Sequence, residues 1–136
     1  VFALFTYMPT NIKISDRNCL FFEGKSYLVA FANGQIFGGG MKIAPQAKLN
    51  DGLFDLIIVK STSFFNFLKG LFLVYKGKHL NHPAIITSKG KYFEASFDKK
   101  VFFELDGEDK TTSYAKIEVL NNSIPLLLNK EKAPLI

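Results

Sequence analysis

Arginine is nearly absent from this chain. Sixteen of its seventeen basic residues are lysine, and Arg17 stands alone. Proteins that read bases lean on the planar guanidinium for bidentate contacts. The lysines here are scattered, apart from short pairs such as Lys99-Lys100, so no nucleic-acid partner is expected. Cysteine is reduced to Cys19, which excludes an internal disulfide and suits a reducing compartment. Cys19 is expected to be a small buried hydrophobe. Tryptophan is missing. No run approaches the ~18 consecutive apolar residues of a membrane span, because Lys69 and Gly70 interrupt the best stretch. Neither Gly-x-x-x-x-Gly-Lys-Ser/Thr nor Gly-x-Ser-x-Gly occurs, so nothing points to a P-loop or to a hydrolase nucleophile. Val1 to Met8 has no basic n-region and no Ala-x-Ala site, unlike a signal peptide. The first residue is Val1, and the expectation is that a longer protein continues upstream.

What is present is apolar and aromatic. Hydrophobic residues make up 48% of the chain, with 15 Phe. Disorder is excluded by that composition. With 136 residues, residues 1–136 are read as a single domain. The net charge of +5 reads as a solvated lysine surface, with at most weak attraction to anionic membranes.

Periodicity places the elements. Val1 to Met8 reads as a helix end or short strand closed by Pro9. Ile12 and Ile14 alternate with Lys13 and Ser15, a half-buried strand. Asp16-Arg17-Asn18 reads as a turn, Cys19 to Glu23 as a strand, Glu23-Gly24-Lys25 as a second turn, and Ser26 to Ala32 as a central strand. Phe54 to Lys60 is Ile- and Val-rich, another strand. Phe64, Phe67, Leu68, Leu71, Val74 and Tyr75 recur at helical spacing. With a cap among Ser61-Thr62-Ser63 and Gly77 at the C-terminal end, they predict one helix over about 62–76. Phe65 and Phe72 widen its apolar face, either over the sheet core or toward a membrane or lipid tail with Lys69 and Lys76 near headgroups. Strands follow over Pro83 to Ser88, Gly90 to Phe97, Val101 to Asp106, Tyr114 to Leu120 and Ser123 to Leu128, with a turn at Asp98-Lys99-Lys100. Lys130 to Ile136 reads as loose. Many strands with close turns and one helix predict a mainly-β domain, a β-sandwich with helical and loop decorations.

Between the strands ending at Ala32 and starting at Phe54 lies Asn33-Gly34-Gln35-Ile36-Phe37-Gly38-Gly39-Gly40-Met41-Lys42-Ile43-Ala44-Pro45-Gln46-Ala47-Lys48-Leu49-Asn50-Asp51-Gly52-Leu53. Three consecutive glycines permit positive φ or close backbone approach. Asn50-Asp51-Gly52 favours a tight turn. A carboxylate flanked by carbonyls there suits a hard cation such as Mg²⁺ or Ca²⁺, or a plain Asx-turn. The glycine run reads as close backbone packing rather than a phosphate cradle. Downstream, Asp106-Gly107-Glu108 places two carboxylates around a glycine at a strand mouth. That arrangement is suited to accepting a hydroxyl proton during group transfer, or is an ordinary acidic hairpin turn. His79 and His82 have no cysteine or clustered carboxylate beside them, so no zinc site is expected.

The order Asn-Gly, Gly-Gly-Gly-Met, Ile-Ala-Pro, Ala-Lys-Leu, Asp-Gly-Leu resembles the C-terminal domain of the diacylglycerol kinase catalytic family, which includes sphingosine and ceramide kinases and bacterial lipid kinases. Leu105-Asp106-Gly107-Glu108 is similar to its Asp-Gly-Glu signature. Gly77-Lys78-His79 with His82-Pro83 is similar to its Gly-x-His…Pro element. The resemblance runs from roughly Asn11 to Leu128. It implies a β-sandwich inserted after an ATP-binding α/β domain. It implies Glu108 as proton acceptor, with Asp106 as support or rival base. It implies a metal site from the carbonyls of Lys48 and Leu53 and the carboxylate of Asp51. The family's ATP motif, Gly-Gly-Asp-Gly-Thr, does not occur in these residues. The expectation is therefore a substrate-side domain, inactive alone, whose missing N-terminal partner domain holds ATP as co-substrate. In the whole enzyme the γ-phosphate would pass to a lipid hydroxyl in phospholipid metabolism, in the cytoplasm or peripherally at the inner face of the membrane. The resemblance also suggests homodimers. The alternative is a non-catalytic lipid- or membrane-binding β-sandwich.

Overall fold

Six strands and one helix account for most of the chain in the computed structural model, which describes residues 8–17, 19–105 and 107–120. The strands are β1 (Thr10–Asp16), β2 (Cys19–Ala32), β3 (Phe54–Lys60), β4 (Ile85–Gly90), β5 (Tyr92–Leu105) and β6 (Glu108–Glu118). Helix α1 (Phe64–Tyr75) lies between β3 and β4, followed by a single 3₁₀ turn at His79–Asn81. The strands pair antiparallel in the order β4-β3-β2-β1-β5-β6. The domain is mainly β, as the sequence predicts.

The sheet folds over itself. β4 ends at Gly90 and β5 begins at Tyr92, so Lys91 alone connects strands that stand first and fifth in the order. In a flat sheet they would lie four spacings apart, about 19 Å. Two Cα steps cover at most about 7.6 Å. The two ends of the order must therefore face one another. Their shared interior joins Ile12 and Ile14 of β1, Leu56 and Ile58 of β3, and Phe93 and Ala95 of β5. All six are 2% exposed or less. Phe31 of β2 and Phe93 of β5 pack with ring centroids 5.6 Å apart. Gly90 admits this fold-over, since a Cβ there would sit 2.8 Å from Phe93 Cζ. Each large side chain removed from water here contributes about 1.5–3 kcal/mol.

A second apolar layer covers the other face. Ile57 of β3 packs with Val74 of α1 and with Ile43, Ala44 and Ala47 of the long loop. β3 thus buries Leu56, Ile57 and Ile58 in succession, which explains its continuous apolar sequence.

Helix α1 is shorter than the predicted 62–76. Ser63 takes the N-cap position, but its side chain makes no capping bond. The C-terminus is a Schellman closure: Gly77 N–H donates to Val74 O (3.0 Å) and Lys78 N–H to Leu73 O (3.1 Å), with Gly77 at φ +65°.

Two predicted turns are strand instead. Glu23-Gly24-Lys25 runs straight through β2 because those residues pair with Lys13, Ile12 and Asn11 of β1. Lys13 Nζ adds an ion pair to Glu23 at 2.8 Å. Asp98-Lys99-Lys100 lies within β5, where the register jumps from Ser96↔Tyr114 to Val101↔Thr112. The surplus residues form a bulge, and the same strand continues to pair with β6. The break predicted at Lys89, between Ser88 and Gly90, falls at Lys91 instead, because Lys89 and Gly90 still pair with Asp55 and Phe54 of β3. Cys19 is exposed, not buried, because it starts β2 beyond the folded-over core. The readings for residues 1–7, for the strand over Ser123 to Leu128 and for the loose Lys130 to Ile136 lie outside the described residues.

Candidate functional site

The long loop, residues 33–53, is fastened at many points. Gly38, Gly39 and Gly40 take φ of +52°, +71° and +95°. This left-handed run turns the chain so that Phe37 and Met41 exchange two backbone hydrogen bonds at 3.1 Å. A side chain would be strained at each of the three. Gln35 Nε2 donates to Ala47 O at 3.1 Å, and Lys42 N–H donates to Val74 O at 3.2 Å, tying loop to helix. His79 completes the tie. It is buried, and its Nε2 meets Ile43 O at 2.9 Å. Nδ1 is buried without a partner among the described residues, so the bond to a carbonyl assigns the proton to Nε2. Burial pushes the His79 pKa down, with the Ile43 bond opposing in part. His79 is a structural clamp, and no metal-binding cluster of side chains includes it among the described residues.

The loop ends at the Asp51 turn. Asp51 Oδ1 accepts from Leu53 N–H at 3.0 Å, an Asx-turn. Its Oδ2 faces Lys89 Nζ at 4.0 Å. Lys89 also pairs with Asp55 Oδ2 at 3.2 Å and donates to Gln46 O at 3.2 Å. Asp55 is 7% exposed, and its Oδ2 has no aligned hydrogen bond, so the ammonium compensates a largely desolvated charge. Gln46, Asp55 and Lys89 edge a cleft of about 230 Å³ that Ala44, Ile57, Leu80 and Thr87 also line. Oxygen donors converge here on one positive charge, and that chemistry fits a hard divalent cation as well as an ammonium. Of the residues expected to bind metal, Asp51 stands at this convergence, while Lys48 and Leu53 flank it in the same loop. Asp55 and Lys89 were not singled out by sequence reasoning. The available signal was a lone carboxylate opening an apolar strand; its partner became visible only with the register Asp55↔Lys89.

The acidic turn after β5 is built differently. Val101 to Leu105 pairs with Glu108 to Thr112 in a two-stranded extension, whereas β1 reaches β5 only at Glu94 to Phe97. Gly107, at φ +90°, makes the turn. Glu108 starts β6 with its side chain 73% exposed and 3.2 Å from Lys110 Nζ. Asp106 lies outside the described residues. Among the described residues no hydrogen bond or ion pair joins Glu108 to the Asp51 turn.

Further along the same pair of strands, Tyr92, Glu94 and Lys116 form a cluster. Tyr92 Oη donates to Glu94 Oε1, Lys116 Nζ lies 3.7 Å from Glu94 and 6.0 Å from the Tyr92 ring centre. The Tyr92 bond lowers the Glu94 pKa, and the same bond raises that of Tyr92. The cluster knits adjacent strands across the sheet surface.

Comparisons with known proteins agree with this architecture. The sequence model described as "YegS C-terminal NAD kinase beta sandwich-like domain" matches residues 1–128. A diacylglycerol kinase of Bacillus subtilis (strain 168) is 31% identical over 125 residues, covering 92% of this chain and 41% of that protein. A diacylglycerol kinase of Staphylococcus haemolyticus is 32% identical over 87 residues, covering 64% of this chain and 26% of that protein. The crystal structure of a diacylglycerol kinase from Bacillus anthracis superposes with a TM-score of 0.66 at 27% identity, covering 88% of this chain and 43% of that one. The chain thus spans less than half the length of these relatives. With its folded-over sheet and the family match across 128 residues, the chain belongs to the YegS C-terminal NAD kinase beta-sandwich-like domain family.

Proposed function

We propose that this chain is the C-terminal, substrate-side domain of an ATP-dependent lipid kinase, and that it works with an ATP-binding domain elsewhere in the protein. The observation that carries the reading is Glu108, an exposed carboxylate at the start of β6 on a hairpin extending beyond the pairing with β1. The relatives named diacylglycerol kinase support it. In the reaction, Glu108 takes the proton from a lipid hydroxyl. The oxygen attacks the γ-phosphorus, the bond from that phosphorus to the β–γ bridging oxygen breaks, and ADP leaves. Asp106 stands beside this step as support or as rival base. Lys110 holds the Glu108 carboxylate near the hairpin until a substrate hydroxyl approaches.

The Asp51 carboxylate with the carbonyls of Lys48 and Leu53 would hold Mg²⁺ or Ca²⁺. Such an ion supplies positive charge that fixes the loop beside the cleft. Asp55 and Lys89 set the competing charge there. The substrate class proposed is a diacylglycerol-like lipid, and the protein acts in the cytoplasm or peripherally at the inner face of the membrane. No helix among the described residues is long and apolar enough to cross a bilayer.

Transfer of label from ATP to a panel of lipids tests the reading, with the full-length protein beside its Glu108→Gln form. Label in one lipid that falls about a hundredfold in the variant supports Glu108 as the base. Label unchanged in the variant moves the base to Asp106 or outside the chain. A folded protein that labels no lipid overturns the kinase reading.

A further inference from the structure

The outer face of α1 carries a stripe that the fold leaves uncovered. Phe65, Lys69, Phe72 and Lys76 follow one another at steps of four, three and four. At 100° per residue they share one face. Phe65 is 81% exposed and Phe72 68%. Val74, nine residues beyond Phe65, lies on the opposite side and is buried in the second core with Leu71 packed beside it. Phe67 is held by the Tyr27 ring at 5.1 Å. The helix is therefore fixed by its inner side, and the outer phenyl rings are presented rather than left over from loose packing.

Charge on this face is of one sign: from Phe64 to the C-cap the helix carries Lys69 and Lys76 and no carboxylate. Lys69 and Lys76 make no ion pair with a described residue. A buried protein interface would have to desolvate both ammonium groups. A second copy docked face to face would set lysine against lysine. An anionic bilayer surface accommodates both features: phenyl rings enter the interfacial zone, while the lysine stems keep their charged ends among the phosphates. The stripe from Phe65 to Lys76 extends about 16 Å along the helix.

We infer that the Phe65–Lys69–Phe72–Lys76 face of α1 is a docking surface for anionic phospholipid bilayers. None of its four residues makes an ion pair with Asp51 or Glu108. Its measurement needs no nucleotide, so it stands or falls independently of the kinase reading.

The test is co-sedimentation of the full-length protein with phosphatidylcholine vesicles, with or without phosphatidylglycerol. Binding is expected only with the anionic lipid and should weaken with salt. Lys69→Glu/Lys76→Glu should lower partitioning by about thirty-fold or more, since each lysine at an anionic surface contributes about fivefold. Phe65→Ser/Phe72→Ser should lower it at least about tenfold with an unchanged melting temperature. Lys99→Glu/Lys100→Glu, the same charge change at the β5 bulge, should matter much less. An equal loss in that pair overturns the inference in favour of diffuse net charge. So does binding that ignores the anionic lipid. A lower melting temperature in the Phe variant places the rings under another part of the protein, and a changed oligomeric state places them in a dimer; either result overturns it.

Discussion

The chain contains two Asp-Gly turns that invite the same first reading, and the structure gives them opposite surroundings. Asp51-Gly52 closes a loop bound to α1, to His79 and to its own glycine turn, and a lysine 38 positions away faces its carboxylate. The turn at Gly107 closes a hairpin extension beyond the reach of β1, with Glu108 open to solvent beside a near neighbour. A glycine at positive φ, Gly52 or Gly107, sets the bend in both places. Burial and the origin of the counter-charge separate a turn that positions structure from one free to meet a substrate.

The contrast is sharpest in the response to removing one charge from each turn's surroundings. Glu108→Gln should cut lipid phosphorylation by about a hundredfold while leaving the urea-unfolding midpoint in place, because the side chain is exposed. Lys89→Met should do the reverse at first order. It leaves Asp55 desolvated and unpaired and should cost about 2 kcal/mol in urea unfolding, tempered by the partial exposure of Lys89. Millimolar Mg²⁺ should restore part of that loss, and calorimetric titration should find tighter Mg²⁺ binding in the variant than in the parent. No restoration would show that the oxygens around Lys89 suit only the ammonium. Gly39→Ala, where no atom blocks a methyl but φ is +71°, should cost about 1 kcal/mol. That change should not affect activity beyond the fraction unfolded.

The smallest effect concerns pH. The folded state holds the His79 pKa below its ordinary value of 6.5. The unfolded chain therefore binds the proton first, and stability present above about pH 6.5 declines as pH falls through and below that value. Unfolding midpoints between pH 8 and 5 should show the decline, and His79→Gln should flatten it. A midpoint that rises on acidification would contradict the clamp.

Local signals were legible where a residue's neighbours in sequence are also its neighbours in space. The spacing from Phe64 to Tyr75 and the glycine at 77 located α1 and its C-terminal closure to within two residues. The alternation at Ile12 and Ile14 located β1. The polar triplets Glu23-Gly24-Lys25 and Asp98-Lys99-Lys100 misled because, in strands only half covered, polar residues can continue a ladder as readily as end it. The partner strand decides, and no local window contains it. Asp51 was legible as a turn carboxylate; the Asp55–Lys89 pair was not, because it depends on β3 and β4 lying side by side across an intervening helix. Glu108 was legible through its motif, while its exposure followed from where β1 stops pairing.

The one-residue link at Lys91 also bears on how the chain reaches this state. Joining the first and fifth strands of the sheet order through so short a segment costs little loop entropy. Pairing β2 with β3 instead requires closing the whole of residues 33–53, a loop that packs Ile43, Ala44 and Ala47 on Ile57 and Val74. Refolding should therefore wait on the glycine-rich loop, so that the segment shaping the cleft is also the last to assemble.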